Sequence, residues 1–459
     1  MESKIKDYIY IHKEELLAAL SRLIEIPSVK GEPCDGAPFG KEPKRALDEM
    51  LKICGEMGFD TENCFDIVGT ADLCPDGAEP ALGILCHLDV VPCQPENWAT
   101  DPYKLTEKDG ILYGRGVIDD KGPAIASLFA MKCIKDLGIP LKKGVRLIFG
   151  TDEENGSEDM EIYTSRAKLP PNVFTPDGSF PVINVEKGMM RSTFSGKYDG
   201  GAVRCFHGGS IPNAVPDKAY AEVKSSLSDA ESAISADKSG AEFIAEEING
   251  AVRITAHGRS AHASTPESGI NAVTALISLL NTLDLSGRQA DILRGLEKAF
   301  PFGETDGASV GLKAEDKTGA TTLVFSIFDM ENGECRGTVD VRFPTCLSLA
   351  AVEKKEREAF GSAGCEFSGY MGDEPHCVDE NSDFVQALLR VYERIEGEKG
   401  ECIAIGGGTY VHNIEGGVAF GAERGDTDYH MHGADEFIPV DELLRDAVLY
   451  ASAIIEICK

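Results

Sequence analysis

Positive charge is scarce in this chain, and so are the features that mark membrane or secreted proteins. It has 45 lysines and arginines against 77 aspartates and glutamates, a formal net charge of −32. That balance argues against nucleic acid and anionic membrane surfaces as partners. No run approaches the ~18 apolar residues needed to span a bilayer. The opening residues Met1 to Asp7 are charged and lead into no continuous apolar core, so no signal peptide is expected. The 14 cysteines are scattered, with no Cys-x-x-Cys pair. In a long chain without a secretion signal they are expected to be reduced thiols of a cytoplasmic protein.

What is present is globular. A hydrophobic fraction of 42% and a charged fraction of 27% suit a packed, water-soluble chain. Its 459 residues exceed one ordinary core, so two or three domains are expected. Leu16, Leu17, Leu20, Leu23 and Ile24 give an amphipathic helix ending before Pro27, and Ala46, Met50, Ile53 and Met57 a second that stops at Gly58. Ala81 to Cys86, Val145 to Phe149 and Val173 to Thr175 read as short buried strands, with a helix from Gly122 to Leu137 between the first two. Strands alternating with helices predict an α/β layer whose central sheet is mixed and largely parallel.

After about residue 185 the pattern changes. Arg191 to Lys197, Ala251 to Ala256 and Thr321 to Phe328 read as antiparallel strands, with helices at Ala272 to Leu283 and Ser348 to Phe360. From about residue 380 the α/β pattern returns. The expected organisation is a discontinuous catalytic domain, residues 1–185 and 380–459, interrupted by an α+β lid domain at 186–379. That insertion is long enough for two related halves.

The acidic and histidine positions fall where apolar strands end. His87 and Asp89 follow the first strand, Asp152, Glu153 and Glu154 the second, and Asp177 the third. Asp119 and Asp120 lie on a Gly-flanked turn, and His432 comes far downstream. In parallel α/β sheets, ligands bind at the carboxyl ends of strands. Two histidines and several carboxylates with little sulfur form a ligand set for a pair of divalent ions, zinc, manganese or cobalt. Such ions sit ~3.5–4 Å apart and need one bridging carboxylate, a role that Asp119 fits. Of the consecutive Glu153 and Glu154, one can ligate while the other stays free as general base. Asp89 is placed to accept the second ring N–H of His87. Cys86 precedes His87 on the strand and so faces the other way.

These residues carry a resemblance. His87-Leu-Asp89-Val-Val-Pro, Gly114-Arg-Gly-Val-Ile-Asp119-Asp120-Lys121-Gly, Asp152-Glu153-Glu154-Asn-Gly-Ser and Pro176-Asp177-Gly resemble the acetylornithine deacetylase, succinyl-diaminopimelate desuccinylase and carboxypeptidase G family of dinuclear metallohydrolases. Within it the chain looks most like the dipeptidase V branch, the Xaa-His or carnosinase-like dipeptidases. The resemblance implies one metal on His87, Asp119 and Asp177, and a second on Asp119, Glu154 and His432. It implies Glu153 as general base, Asp89 as the residue that orients His87, and a cis peptide at Asp119-Asp120. The family's usual ending, His followed by two residues and an acidic pair, selects His432. His430 stays open as the alternative, because on a strand it would share the face.

The inserted segment supplies further candidates by the same resemblance. His262, in Gly258-Arg-Ser-Ala-His262, matches the histidine that stabilises the oxyanion, and Asn213 a substrate-contacting asparagine. Arg342 is suited to bidentate capture of a substrate carboxylate. Gly406 to Thr409, with Gly408 and Thr409 its last members, looks like a second carboxylate-binding element. His12, His207, His257, His376 and His412 have no comparable context and read as structural or surface residues. The expected function is metal-dependent hydrolysis of dipeptides or short peptides by a monomer carrying a complete site, zinc being the family's commonest ion. An N-acyl amino acid deacylase of the same chemistry is the nearest rival, and a silent peptide binder the next. A metal-free two-carboxylate glycosidase leaves His87 and His432 unexplained.

Overall fold

The computed structural model describes residues 1–425 and 427–459. The chain divides into two compact units, one of Met1–Val185, Cys377–Ile403 and Gly408–Lys459, the other of Glu186–His376 and Ala404–Gly407.

The first unit is built on a mixed sheet. Its strands are β1 (Asp60–Cys64), β2 (Val68–Leu73), β3 (Pro80–His87), β4 (Gly144–Gly150), β5 (Asn172–Thr175) and β6 (Val182–Glu186). They lie in the order β1-β2-β4-β3-β5, then the two-residue strand Val418–Ala419, then β6. β3 runs parallel to both β4 and β5, and Val418–Ala419 parallel to β5. The β1–β2, β2–β4 and Val418–Ala419 to β6 pairings are antiparallel. Parallel pairing is thus concentrated at the centre, where it matters for the site. β3 is buried from Ala81 to His87, as expected of a strand covered on both faces. The helix Lys121–Asp136 buries nearly its whole circumference and packs on the C-terminal helix Val440–Cys458; a helix apolar all round belongs in a core. Leu20, Ile84, Phe129, Leu147, Phe174 and Ile454 are members of that core, and Cys86 joins them.

The register sets the geometry of the site. His87 pairs with Gly150 at the ends of β3 and β4, and Ile84 with Phe174 of β5. The three carboxyl ends therefore finish side by side. They release His87, the Asp152–Glu154 turn and Asp177 on one edge of the sheet.

The second unit holds an eight-stranded antiparallel sheet. Its strands are β7 (Gly188–Lys197), β8 (Val203–Gly208), β9 (Lys218–Val223), β10 (Glu242–Ile248), β11 (Ala251–His257), β12 (Thr322–Glu331), β13 (Glu334–Phe343) and β14 (Glu366–Asp373). The order is β10-β11-β9-β8-β12-β13-β7-β14. Burial alternates strictly along most of β7, the signature of a sheet with one covered face. Val273, Leu276, Leu293, Val352 and Phe360 from three helices pack there against Phe194, Phe206, Phe325 and Phe328. The order shows two halves. The pairs β8–β9 and β12–β13 are each followed in the chain by a helix and an edge strand, β10 or β14. The third place is filled by β11 in one half and β7 in the other.

Candidate metal centre

His87 and His432 approach opposite oxygens of one carboxylate. His87 Nε2 lies 2.9 Å from Asp119 Oδ1, and His432 Nε2 lies 2.9 Å from Asp119 Oδ2. Asp177 Oδ2 stands 3.7 Å from His87 Nε2, and Glu154 Oε2 3.3 Å from His432 Nε2. Two triads result, His87–Asp119–Asp177 and Asp119–Glu154–His432, each with its ligand atoms within 4.8 Å of one another. Asp119 belongs to both. His430, by contrast, is exposed and sets its ring edge-on to Phe437.

The donor chemistry of these groups fits metal ions. His87 Nδ1 lies 3.0 Å from the Asp89 carbonyl oxygen. A carbonyl only accepts, so Nδ1 carries a proton and Nε2 is the atom that faces the carboxylates; a neutral ring would turn its Nε2 lone pair toward them. Lone pair against carboxylate is repulsive unless positive charge lies between them. The same demand appears in the pKa values. Burial alone lowers His87, but its hydrogen bonding to Asp119 and the charge of Asp177 outweigh that and hold it well above its ordinary value. Asp119 and Glu154 raise His432 to about 11 against the cost of burial. A divalent ion at each triad meets this demand.

Asp89 has more contacts at the site than the one expected from sequence. Its main-chain carbonyl lies 3.0 Å from the His87 ring Nδ1, nearer than its carboxylate at 3.6 Å. The carboxylate also accepts the main-chain N–H groups of Glu153 and Glu154, each at 3.1 Å. It therefore orients the acidic turn, while its carbonyl is the group nearer the histidine. Glu153 belongs to neither triad, and burial, with Asp177 adding and His87 opposing, raises its pKa well above that of an ordinary glutamate. That is the character of a proton acceptor.

Several supporting residues escaped the sequence reading. Glu436 Oε1 accepts the N–H groups of Gly116 at 3.0 Å and Ile118 at 3.1 Å, and Oε2 the Arg115 guanidinium at 2.6 Å. Gly116 has a φ of 91°, a turn conformation that disfavours any side chain. This loop carries Asp119, and the Asp119-Asp120 peptide is cis. Asp120, grouped with the site by sequence, accepts the main-chain N–H of His87 at 3.1 Å. His432 is not on a strand: His430, His432 and Asp435 have φ values of 57°, 59° and 57°, so the segment is a series of turns. The strand-face argument for His430 therefore fails. Among these supports, Asp120 lay in a recognised motif and the acidic pair Asp435-Glu436 in the ending that selects His432, but neither signal told what the side chains hold.

The remaining expected residues are placed as follows. In the second unit the Asn213 carbonyl accepts the Ala263 N–H at 2.9 Å, beside His262, whose Nδ1 lies 2.7 Å from Ser264 Oγ. Arg342 is buried, not a surface arginine. Its Nε donates to Asp340 Oδ1 at 2.7 Å, and its Nη1 to the Gly406 carbonyl at 3.1 Å. The side-on fork expected to grip substrate is thus committed to Asp340, and Nη1 and Nη2 each keep a further N–H. Gly406 packs on Ser264, leaving no room for a side chain. Gly408 and Thr409 fall in the first unit. Among the described residues no helix is long and apolar enough to cross a membrane.

Comparison with known proteins gives concordant results. The model of peptidase family M20/M25/M40 matches residues 83–456. The Beta-Ala-Xaa dipeptidase of Lactobacillus delbrueckii subsp. lactis is 33% identical over 479 residues, covering 100% of this chain and 99% of that protein. Human carnosine dipeptidase 1 superposes with a TM-score of 0.62 at 18% identity, over 99% of this chain and 98% of the other. The Bacillus subtilis YXEP protein, described as a dinuclear metal-binding peptidase, superposes with a TM-score of 0.51 at 12% identity, over 98% and 99%.

Proposed function

The chain belongs to peptidase family M20/M25/M40, and we propose that this metal-dependent hydrolase of peptide bonds acts on dipeptides or short peptides with two zinc ions bound. The observation that carries the reading is the sharing of Asp119 between His87 and His432, beside a glutamate, Glu153, that neither triad uses. His87, Asp119 and Asp177 would hold one ion, and Asp119, Glu154 and His432 the other; manganese or cobalt suits the same donors. When bound, the ions polarise the scissile carbonyl and lower the pKa of water.

The chain's own groups do the rest. The Glu153 carboxylate accepts the proton of the attacking water as the C–O bond forms. As the C–N bond breaks, Glu153 returns that proton to the departing amine nitrogen. His262 is assigned as the donor that stabilises the oxyanion. Asn213, Arg342, Gly408 and Thr409 are assigned to the substrate, Arg342 meeting a carboxylate through its Nη1 and Nη2 hydrogens. We assign the chain to the cytoplasm, a reading that rests on the scattered spacing of its 14 cysteines. We assign it to the monomeric state; gel filtration at the dimer mass overturns that.

The relative named as a Beta-Ala-Xaa dipeptidase sets the choice of substrates. The purified chain is assayed with zinc, manganese or cobalt on α- and β-alanyl dipeptides, beside acetyl- and succinyl-amino acids. Cleavage of the dipeptides is expected. Turnover confined to acylated amino acids overturns the dipeptidase reading in favour of a deacylase.

A further inference from the structure

Four consecutive main-chain N–H groups, those of residues 151 to 154, are divided between two buried carboxylates. Asp89 takes Glu153 and Glu154, as described above. Asp159 takes the other two, with Thr151 N at 2.6 Å and Asp152 N at 3.1 Å, both on Oδ2. Its Oδ1 accepts Met160 N–H at 2.7 Å. The Tyr410 hydroxyl donates to the same Oδ2. Asp159 is fully buried and Tyr410 nearly so, so no solvent competes for these bonds.

Two further observations tie the pair to the centre. The Tyr410 ring stands edge-on to the His87 ring, 6.1 Å between centroids at 87°. Gly150, the last residue of β4, lies directly beneath the Tyr410 hydroxyl and the Asp159 carboxylate; any side chain there would collide with both. The strand that delivers the acidic turn thus ends in a glycine that leaves space for this pair. Asp159 has nothing else to do there: its bonds are spent on the start of the turn, on its own helix and on Tyr410.

We propose that Asp159 and Tyr410 are positioning residues of the metal centre, the tyrosine hydroxyl fixing the carboxylate that, together with Asp89, clamps the main chain of the Glu153-Glu154 turn. A carboxylate with three donors on one oxygen has little freedom to rotate. The turn it holds carries a ligand of one triad and the proposed base in adjacent positions. Slackening the clamp loosens Glu154 and Glu153 together. It leaves His87, Asp119 and Asp177 on their own supports, Asp120 and Glu436 among them. The proposal rests on the reading of Glu154 as a ligand and Glu153 as the base.

The test uses Tyr410→Phe, which keeps the ring against His87 and removes only the hydroxyl, with Asp159→Asn as the second variant. Zinc is titrated into the chelator-stripped full-length chain by calorimetry. One of the two zinc equivalents is expected to weaken about tenfold, the other to stay unchanged. At saturating zinc, kcat on a cleaved dipeptide is expected to fall about 10–100-fold with KM within about twofold. Two zinc equivalents and a kcat equal to those of the unaltered chain overturn the proposal. Loss of both equivalents together with the thermal transition, in both variants, also overturns it, because the pair would then be a prop of the fold alone. An unaltered chain that binds two zinc ions but cleaves no dipeptide sinks the peptidase reading, while the zinc titration still decides the clamp.

Discussion

Arg115 and Glu436 form an ion pair of 2.6 Å with almost no access to solvent, 321 residues apart in the chain. Arg115 also donates to the Gly433 carbonyl at 2.9 Å, next to His432. The pair therefore fastens the loop of Asp119, the carboxylate common to both triads, to the turns that carry His432. Removing one partner of such a pair strands a buried charge, at about 3–5 kcal/mol. Arg115→Met is expected to lower the denaturation midpoint accordingly. Arg115→Met with Glu436→Gln should recover part of that loss, since no unpaired charge remains. A double variant no more stable than the single one would show that the charge is not the source.

The roles proposed for Asp119 and Glu153 are separable by two variants. Asp119→Asn alters the one carboxylate that belongs to both triads. It is expected to lower bound metal from two ions to one or fewer per chain, read by elemental analysis. Glu153→Gln touches neither triad. It should retain two ions while kcat falls about 10²–10⁴-fold. Metal loss in Glu153→Gln, with activity restored by excess zinc, would make that residue a ligand instead.

The parts of the site legible in the sequence are those that follow regular strands. His87, the Glu153-Glu154 pair and Asp177 each come just after an apolar run, and parallel neighbours must finish at one edge. His432 had no such guide, because it sits on turns with positive φ values. Only the family's ending pointed to it. The clamps were illegible for a different reason. A carboxylate that holds main-chain N–H groups, such as Asp159, looks in sequence like any solvated acid, and the motifs that contain Asp120 and Glu436 do not show which N–H groups they hold. Arg342 shows the same limit, since only the fold reveals that Asp340 already engages it.

Asp89 offers a test of which of its groups orients His87. In Asp89→Asn the main-chain carbonyl that faces the His87 ring is untouched, but an NH2 group faces one of the two N–H groups of the acidic turn. Disturbance of the turn is expected to cut kcat about 10–100-fold. The zinc equivalent held by His87, Asp119 and Asp177 should keep its affinity in a calorimetric titration. Selective weakening of that equivalent would make the carboxylate the orienter of His87.

Glu356 is expected to make the stability of the second unit depend on pH. It is fully buried on the helix Leu349–Ser362. Burial, with the charge of Asp340 adding and the Ser192 hydroxyl opposing, raises its pKa from 4.5 to about 8. A carboxyl raised in the fold binds its proton more tightly there than in the unfolded chain. Its contribution is complete below about pH 4.5, and it is lost as pH rises toward and through about 8. Glu356→Gln keeps the shape and removes the titration. The variant is therefore expected to gain on the unaltered chain between pH 5 and pH 8, by on the order of 1–3 kcal/mol. That corresponds to a few degrees in melting temperature. Melting curves of both proteins across this range isolate the one group, because every other titrating residue is common to both. A melting-temperature difference that stays constant from pH 5 to pH 8 would show that Glu356 is charged in the fold throughout.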